Sequence, residues 1–138
     1  MSEQNNVGLF RMAYDAFGRG DIEALLALLD ENVEWITPGP SDVPTAGERR
    51  GRQAVGEFFK TLNETFEITK FQTQEFVAEG DRVVVFGTDT AKVKATGKVL
   101  DFNWVHYFGV KNDKIVNFRE YGDMSAVVAE LKVAAARV

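Results

Sequence analysis

The chain has 138 residues, no cysteine, one histidine and a formal net charge of −5 at pH 7. Without cysteine it cannot form disulfides, Cys-ligated metal clusters or a thiol nucleophile, and one histidine excludes a metal site built from several histidines. The acidic balance, with no cluster of Lys and Arg, excludes a nucleic-acid-binding surface. Any catalysis must therefore use carboxylates, hydroxyls, Arg, Lys or the single His106.

The length and an apolar content of 45% predict a single domain over residues 1–138 with one packed core. Residues 1–6 lack the basic and apolar regions of a signal peptide, and no apolar run approaches the roughly 18 residues of a membrane span. The glycines are scattered at turns and form no phosphate-binding loop. We therefore expect a cytoplasmic protein with no membrane partner, no metal site and no cofactor.

The first half of the chain has mainly helical periodicity. An apolar stripe over residues 7–17 predicts a first helix, and Asp21 is expected to cap a second one. Alternation over 33–37 predicts a short strand, and residues 38–51, which contain all three prolines, predict a loop. Residues 53–66 predict a third helix with a buried aromatic face.

In the second half the period changes from 3.6 to 2. Residues 69–78, 82–94, 98–110 and 114–122 predict four strands, and residues 125–135 predict a closing helix. Long strands joined by short turns must be antiparallel. The order of elements therefore predicts an α+β fold, in which a curved antiparallel sheet packs on the N-terminal helices and a C-terminal helix follows.

Three ionisable residues fall on otherwise apolar faces of these strands. Asp89, His106 and Glu120 lie on the second, third and fourth strand of the meander. Burying an unpaired charge is costly, so such groups are normally paired, neutral or facing a polar cavity. Each has a structural alternative: a hydrogen-bonded core histidine for His106, a bulge or ion pair for Asp89, and a cross-strand salt bridge for Glu120.

The large aromatic residues allow the same two interpretations. Trp35, Trp104 and Tyr14 are either ordinary core residues or part of the wall of a pocket. A pocket would explain these aromatics and the three ionisable residues together.

Several short segments follow one another in a recognisable order. They are YDAF at 14–17, VEW at 33–35, GR at 51–52, WVH at 104–106 and REY at 119–121. With the elements around them, they resemble the SnoaL-like and ketosteroid-isomerase-like branch of the nuclear transport factor two-like superfamily. The resemblance covers residues 7–131.

This resemblance implies a cone-shaped fold, in which a strongly curved antiparallel sheet wraps around three helices and encloses a deep, mostly apolar pocket. It also implies a homodimer and a small hydrophobic ligand. The same cone hosts isomerases, cyclases, hydrolases and non-catalytic modules, so the reaction depends on individual residues.

Steroid isomerases of this family use an aspartate base before a proline, a tyrosine on the first helix and a protonated aspartate on the third meander strand. The corresponding positions here are Thr37, Ala13 and His106, with Tyr14 beside Ala13. Because the base and the tyrosine are missing from these positions, the usual steroid isomerase reaction is not expected.

Two other groups of the family match better at the acidic residues. Limonene-epoxide hydrolases use two acids that correspond to Asp89 and Glu120, but their other partners are absent here. SnoaL-type polyketide cyclases use an acid on the last strand and a histidine on the third, which correspond to Glu120 and His106. Glutamate in place of aspartate lengthens the acid by one methylene.

The sequence thus predicts a cofactor-independent acid/base enzyme that acts on a small apolar carbonyl compound as an isomerase, an aldol-type cyclase or a hydratase or hydrolase. Glu120 is the predicted proton-transfer group, His106 binds the carbonyl or enolate oxygen, and Asp89 orients one of them or shares a proton with Glu120. The predicted substrate-binding residues are Tyr14, Trp35, Thr37, Phe59, Trp104 and Phe118.

Other residues complete this predicted site. Val116 is expected in an apolar wall beside Glu120, and Pro38, Pro40 and Pro44 are expected at the mouth. Two alternatives remain open: a non-catalytic binding module for a small hydrophobic ligand, and a structural dimerisation domain with a collapsed cavity.

Overall fold

The computed structural model describes residues 3–137, and within that range it contains four helices and one six-stranded sheet. The helices are α1 (Glu3–Gly18), α2 (Ile22–Leu26), α3 (Arg52–Thr65) and α4 (Ser125–Ala136). The strands are β1 (Leu29–Thr37), β2 (Gly47–Arg50), β3 (Phe66–Glu79), β4 (Arg82–Val93), β5 (Val99–Lys111) and β6 (Lys114–Gly122). The domain predicted over residues 1–138 includes three residues, 1, 2 and 138, that lie outside this range.

The strands lie in the order β2-β1-β6-β5-β4-β3. The meander from β3 to β6 is antiparallel, as its short turns predicted. β1 joins the meander beside β6 in a parallel pairing, so the sheet as a whole is mixed rather than wholly antiparallel. The predicted α+β class, with helices at the N-terminus and one at the C-terminus, is confirmed.

Local sequence explains where the first helices begin and end. α1 ends at Gly18, and the side chain of Asp21 accepts a hydrogen bond from the backbone N–H of Ala24 at 3.1 Å. This is the predicted N-cap, because a side-chain oxygen satisfies an amide that has no partner inside the helix. α2 is only five residues long, since Leu29 already belongs to β1.

The predicted loop over residues 38–51 is wrong in its last part, where β2 occupies Gly47–Arg50. β2 pairs with β1, and Arg50 Nη2 lies 3.1 Å from Glu34 Oε2 across the two strands. The segment reads Gly-Glu-Arg-Arg and carries no alternating apolar residues, so periodicity could not predict it. β2 forms because its backbone pairs with β1, not because of its own side-chain pattern.

The concave side of the sheet holds the main core. Phe10 of α1, Leu29 and Val33 of β1, Val83 of β4 and Ile115 of β6 are almost completely buried there. The aromatic residues Phe58 and Phe59 of α3 are buried in this core, in agreement with the predicted buried face of that helix. Several of these core residues, including Leu29 and Ile115, also line the cavity described below.

A second, smaller apolar cluster lies where α4 packs on the far ends of β3 and β4. Val127 of α4 is fully buried against residues that include Val43, Phe66, Ala91 and Val93. None of the helices within residues 3–137 is long and apolar enough to cross a membrane.

Candidate active site

A cavity of about 140 Å³ lies between the inner face of the sheet and helices α1 and α3. Its walls are mainly aromatic and aliphatic. All nine predicted site residues line it, namely Tyr14, Trp35, Thr37, Phe59, Asp89, Trp104, His106, Phe118 and Glu120. Seven of these residues lie on strands, and Tyr14 and Phe59 lie on α1 and α3. Their catalytic and binding roles stay predictions.

A chain of hydrogen bonds crosses this cavity from α1 to β6. The hydroxyl of Tyr14 lies 2.7 Å from Nδ1 of His106, and Nε2 of His106 lies 2.9 Å from Oε1 of Glu120. His106 and Glu120 are directly opposite each other on β5 and β6, so the sheet register fixes the second contact. The His106 side chain is 8% exposed and that of Glu120 is 29% exposed, so the chain runs from the interior toward solvent.

The proton positions in this chain follow from the environment of Tyr14. Burial, together with the negative charge of Glu120, raises the pKa of Tyr14 well above its ordinary value, so the phenol keeps its proton. We therefore assign the Tyr14 hydroxyl as the donor to Nδ1 of His106, and in this tautomer the ring carries its own hydrogen on Nε2. That N–H donates to the Glu120 carboxylate, so each of the three groups has a hydrogen-bond partner.

Aromatic rings contact His106 on one face and at its edges. Trp104 stacks on the imidazole with ring centroids 3.9 Å apart, and Tyr14 lies nearly parallel to it at 5.9 Å. Phe118 meets the same ring edge-on at 4.8 Å. These contacts restrict the rotation of His106 and so fix the direction of its Nε2–H toward Glu120.

Gly87 of β4 makes room for the ring of Trp104. It lies opposite Trp104 in the β4–β5 register, and a Cβ atom at this position would overlap the Trp104 ring. The same atom would lie 2.6 Å from the backbone carbonyl oxygen of Gln72. A glycine here therefore allows the indole to lie flat across the strand and reach His106.

Asp89 lies in the cavity apart from this chain. Its Oδ1 is buried and has no hydrogen-bond partner among the described residues. Burial, with smaller contributions from the negative charges of Glu120 and Asp101, raises the pKa of Asp89 to about 7. The sequence predicts that Asp89 orients His106 or Glu120 or shares a proton with Glu120, whereas within residues 3–137 the hydrogen-bond partners of His106 are Tyr14 and Glu120.

Thr37 and the loop after β1 close the cavity on another side. The Thr37 hydroxyl is buried and donates a hydrogen bond to the backbone carbonyl of Thr45. Thr37 thus fixes the loop, and its hydroxyl group already has a hydrogen-bond partner within the protein. Pro38 also lines the cavity, whereas Pro40 and Pro44 are exposed and lie outside the lining, which corrects their expected place at the mouth.

The apolar wall beside Glu120 differs from the prediction by one residue. Ile115 lines the cavity in the place expected for Val116. Gly109 of β5 pairs with Asn117 of β6 and Val110 pairs with Ile115, so Val116 is an extra residue in β6. Such a bulge places Ile115, rather than Val116, on the same face as Phe118. Among residues 3–137, no three His, Asp or Glu side chains form a group that could hold a metal ion.

Comparison with known proteins gives the family. The model of the SnoaL-like domain matches residues 10–118. The chain belongs to the SnoaL-like domain family. The match lies inside the range of residues 7–131 over which the sequence showed its resemblance, and it confirms that resemblance. No curated protein matches the chain.

Solved structures share the fold of this SnoaL-like protein. An NTF2-like protein from Burkholderia xenovorans LB400 is 39% identical, covers 94% of this chain and 97% of its own, and has a TM-score of 0.85. An NTF2-like protein of unknown function from Burkholderia pseudomallei K96243 is 29% identical, with coverages of 94% and 97% and a TM-score of 0.85. TerC, co-crystallised with polyporic acid, is 25% identical, with coverages of 95% and 98% and a TM-score of 0.80.

Tyr14 is the residue of this SnoaL-like site whose contact the sequence did not reveal. The sequence resemblance matches Ala13 with the helical tyrosine of the steroid isomerases, and the sequence predicts Tyr14 only in the wall of the pocket. In the structure both residues line the cavity, and the Tyr14 hydroxyl reaches His106. The helical stripe that contains Tyr14 indicated that its side chain faces the sheet, but not which strand residue it meets.

Proposed function

We propose that this SnoaL-like protein is an acid/base enzyme that moves a proton on the carbon next to the carbonyl group of a small, mostly apolar compound. The observation that supports this best is the Tyr14–His106–Glu120 hydrogen-bond chain inside an apolar cavity. Isomerisation and aldol-type ring closure both begin with such a proton transfer. An engineered apolar cavity of about 150 Å³ holds benzene, so the cavity suits a compound with one ring.

Glu120 is the proposed base. One of its oxygens, Oε1, accepts the hydrogen bond from His106, which leaves Oε2 to take a proton from the substrate. The carboxylate is held in one orientation, and a base that is already positioned avoids the entropic cost of finding the reacting carbon. The same group can return the proton to a neighbouring carbon, which completes an isomerisation.

His106 and Tyr14 are proposed to position Glu120 rather than to bind the substrate oxygen. Both ring nitrogens of His106 already have partners, so neither is available for a carbonyl group. This proposal changes the role that the sequence suggested for His106. The carboxylate–imidazole–hydroxyl order fixes the tautomer of the ring, as a buried acid does in a catalytic triad.

Hydrogen exchange tests this function directly. The protein is incubated in D₂O with acetone, cyclohexanone, 2-cyclohexenone, 1-indanone and acetophenone, and the loss of the α-proton signals is followed by ¹H NMR. We expect faster exchange than in buffer for at least one ring ketone. Glu120→Gln should slow this exchange by about 10²–10⁴-fold, the usual contribution of a general base.

Two features of this experiment separate the outcomes. Glu120→Gln keeps a side-chain oxygen that can accept the hydrogen bond from His106. Glu75→Gln makes the same substitution at an exposed residue of β3, and this matched control should catalyse ketone exchange at the unmodified rate. Undiminished exchange in Glu120→Gln would refute Glu120 as the base. Binding of the ketones with no exchange across the panel would instead support the non-catalytic binding module.

We also propose that the protein forms a homodimer through the outer face of the sheet. Phe86, Val105 and Tyr121 lie in one row across β4, β5 and β6, with Phe86 37% and Tyr121 53% exposed. Arg119 and Glu34 line a cleft on the same face. A two-fold axis places a patch against itself, so a patch with both charges is complementary to its own copy.

A further inference from the structure

Three residues that line the cavity carry a buried polar atom outside the Tyr14–His106–Glu120 chain with no hydrogen-bond partner among the described residues. One is Nε1 of Trp35 on β1, and the other two lie on the neighbouring strands β4 and β5. They are Oδ1 of Asp89 and Nε1 of Trp104. Both residues line the cavity, and Trp104 as a whole is 5% exposed. A buried polar atom without a partner costs about 1–3 kcal/mol, so a bound group that supplies the missing partners would recover this energy.

The register of the sheet places Asp89 at a different part of the cavity from Glu120, with Trp104 between them. Val85 of β4 lies opposite His106, Gly87 lies opposite Trp104, and Asp89 is two residues further along the same strand face. Four residues of a strand span roughly 13 Å between Cα atoms. The cavity therefore has one polar end at Glu120 and another at Asp89.

Aromatic rings line the cavity between the two ends. The ring of Trp104 stacks on His106 on one side and on Phe71 on the other, with centroids 3.9 and 5.0 Å apart. A flat apolar ring of a ligand packs well on such aromatic surfaces. A ligand that reaches both polar ends must carry its polar groups on opposite sides of that ring.

A hydroxyl group matches the chemistry at the Asp89 end. Its oxygen can accept a hydrogen bond from the Trp104 indole N–H, while its hydrogen can be donated to the Asp89 carboxyl oxygen. A purely apolar group would leave both protein atoms without a partner. A carbonyl oxygen would satisfy the indole, but it has no hydrogen to donate to the ionised carboxylate of Asp89.

We propose that Asp89 and Trp104 bind a hydroxyl group of the substrate, so that the substrate is a hydroxylated ring ketone with its two oxygen functions on opposite sides of the ring. This rests on the proposed function, which places the carbonyl group beside Glu120. Asp89 is then a substrate-binding residue that determines specificity, and Trp104 contributes both its ring and its N–H.

Three isomeric or truncated probes test this inference on the unmodified protein. Acetophenone has only the carbonyl group, 4′-hydroxyacetophenone adds a hydroxyl on the opposite side of the ring, and 2′-hydroxyacetophenone adds it next to the carbonyl group. Dissociation constants are measured by isothermal titration calorimetry. We expect 4′-hydroxyacetophenone to bind about tenfold more tightly than the other two, as two neutral hydrogen bonds allow. Equal affinities would overturn the proposal, and this comparison needs no variant.

Variants then locate the hydroxyl site. Asp89→Leu and Trp104→Phe should each remove most of the preference for 4′-hydroxyacetophenone, while Asp89→Asn should keep it, because an amide both donates and accepts. Glu75→Gln, at an exposed position of β3 outside the cavity lining, is the control and should leave the preference unchanged. A preference that persists in Asp89→Leu would overturn the assignment to Asp89.

The failure of this inference can be told from the failure of the proposed function. Exchange of the acetophenone methyl protons in D₂O depends on Glu120 and requires no hydroxyl group. Exchange that proceeds without any preference for 4′-hydroxyacetophenone would overturn only the hydroxyl site. A preference that depends on Asp89, with no exchange of any probe, would overturn the acid/base function and leave a binding site for hydroxylated rings.

Discussion

The hydroxyl of Tyr14 lies 2.7 Å from Nδ1 of His106, which joins helix α1 to strand β5 across 92 positions of the sequence. The two rings are nearly parallel, with an angle of 5° between their planes. Because Nδ1 accepts this bond, the hydrogen of the imidazole is on Nε2 and is directed to Glu120. A residue of the first helix therefore controls the orientation of an acid on the last strand.

Replacing Tyr14 with Phe should keep the ring packing and remove only this hydrogen bond. Nδ1 of His106 would be buried without a partner, so we expect a loss of about 1–3 kcal/mol in the free energy of unfolding. If Glu120 is the base, the rate of ketone exchange should fall about tenfold with little change in KM, because Glu120 is held less firmly. Urea unfolding and ¹H NMR exchange measure the two effects.

The single histidine makes this prediction specific. ¹⁵N NMR of the ring reports on His106 alone, since the chain has one histidine. In Tyr14→Phe the spectrum should show a mixture of the two tautomers. The control is Tyr107→Phe, on the outer face of β5, which should leave the spectrum and the rate unchanged. An unaltered spectrum in Tyr14→Phe would show that the phenol does not set the tautomer.

Strand alternation predicts correctly that the three ionisable side chains enter the cavity. Asp89, His106 and Glu120 all follow the pleat of long, regular strands, and regular strands preserve a period of two. The prediction failed where the pleat is interrupted. The register shift after Gly109 could not be seen in the sequence, and it exchanges Val116 for Ile115 in the wall.

Contacts between distant elements were beyond the reach of periodicity. The parallel pairing of β1 with β6 joins residues about 80 positions apart, such as Trp35 and Phe118, and nothing local encodes it. The contact between Tyr14 and His106 depends in the same way on how α1 packs on the sheet. The family resemblance predicted a curved sheet around the helices, but it matched the helical tyrosine to Ala13, whereas Tyr14 contacts His106.

Gly87→Ala should destabilise the protein. The added Cβ would overlap the ring of Trp104 and would lie 2.6 Å from the carbonyl oxygen of Gln72, and this backbone atom cannot rotate away. We expect a loss of about 1–3 kcal/mol or more, as for other overpacked sites. Gly8→Ala is the matched control, because the exposed Gly8 lies in α1 with no atom within 4 Å of the added Cβ. It should stabilise the protein by about 0.5–1 kcal/mol. Thermal unfolding of both variants checks the opposite signs.

Phe86→Lys should disrupt the proposed dimer without affecting the fold. Phe86 is 37% exposed on the outer face, so a lysine there is tolerated in a monomer, whereas in a two-fold interface it would bury a charge near its own copy. Light scattering after size exclusion should give a dimer for the unmodified chain and a monomer for Phe86→Lys. Met12→Lys, an exposed apolar residue of α1, is the control and should stay dimeric. A monomer for the unmodified chain would refute the dimer.

Asp89→Asn should stabilise the protein at high pH and have little effect at low pH. Burial raises the pKa of Asp89 from 3.8 to about 7, so the folded state binds more protons than the unfolded state between these values. Stability therefore falls as the pH rises through this window and is level above it. The full shift corresponds to about 4 kcal/mol, and solvent screening of a partly exposed group reduces this, so we expect a gain of about 1–2 kcal/mol at about pH 8.

Urea unfolding of both proteins at about pH 4.5, 6 and 8 measures the difference. Asp42→Asn, in an exposed loop, should show no such trend. A difference between Asp89→Asn and the unmodified chain that does not change with pH would show that Asp89 ionises as freely in the folded protein as in the unfolded chain.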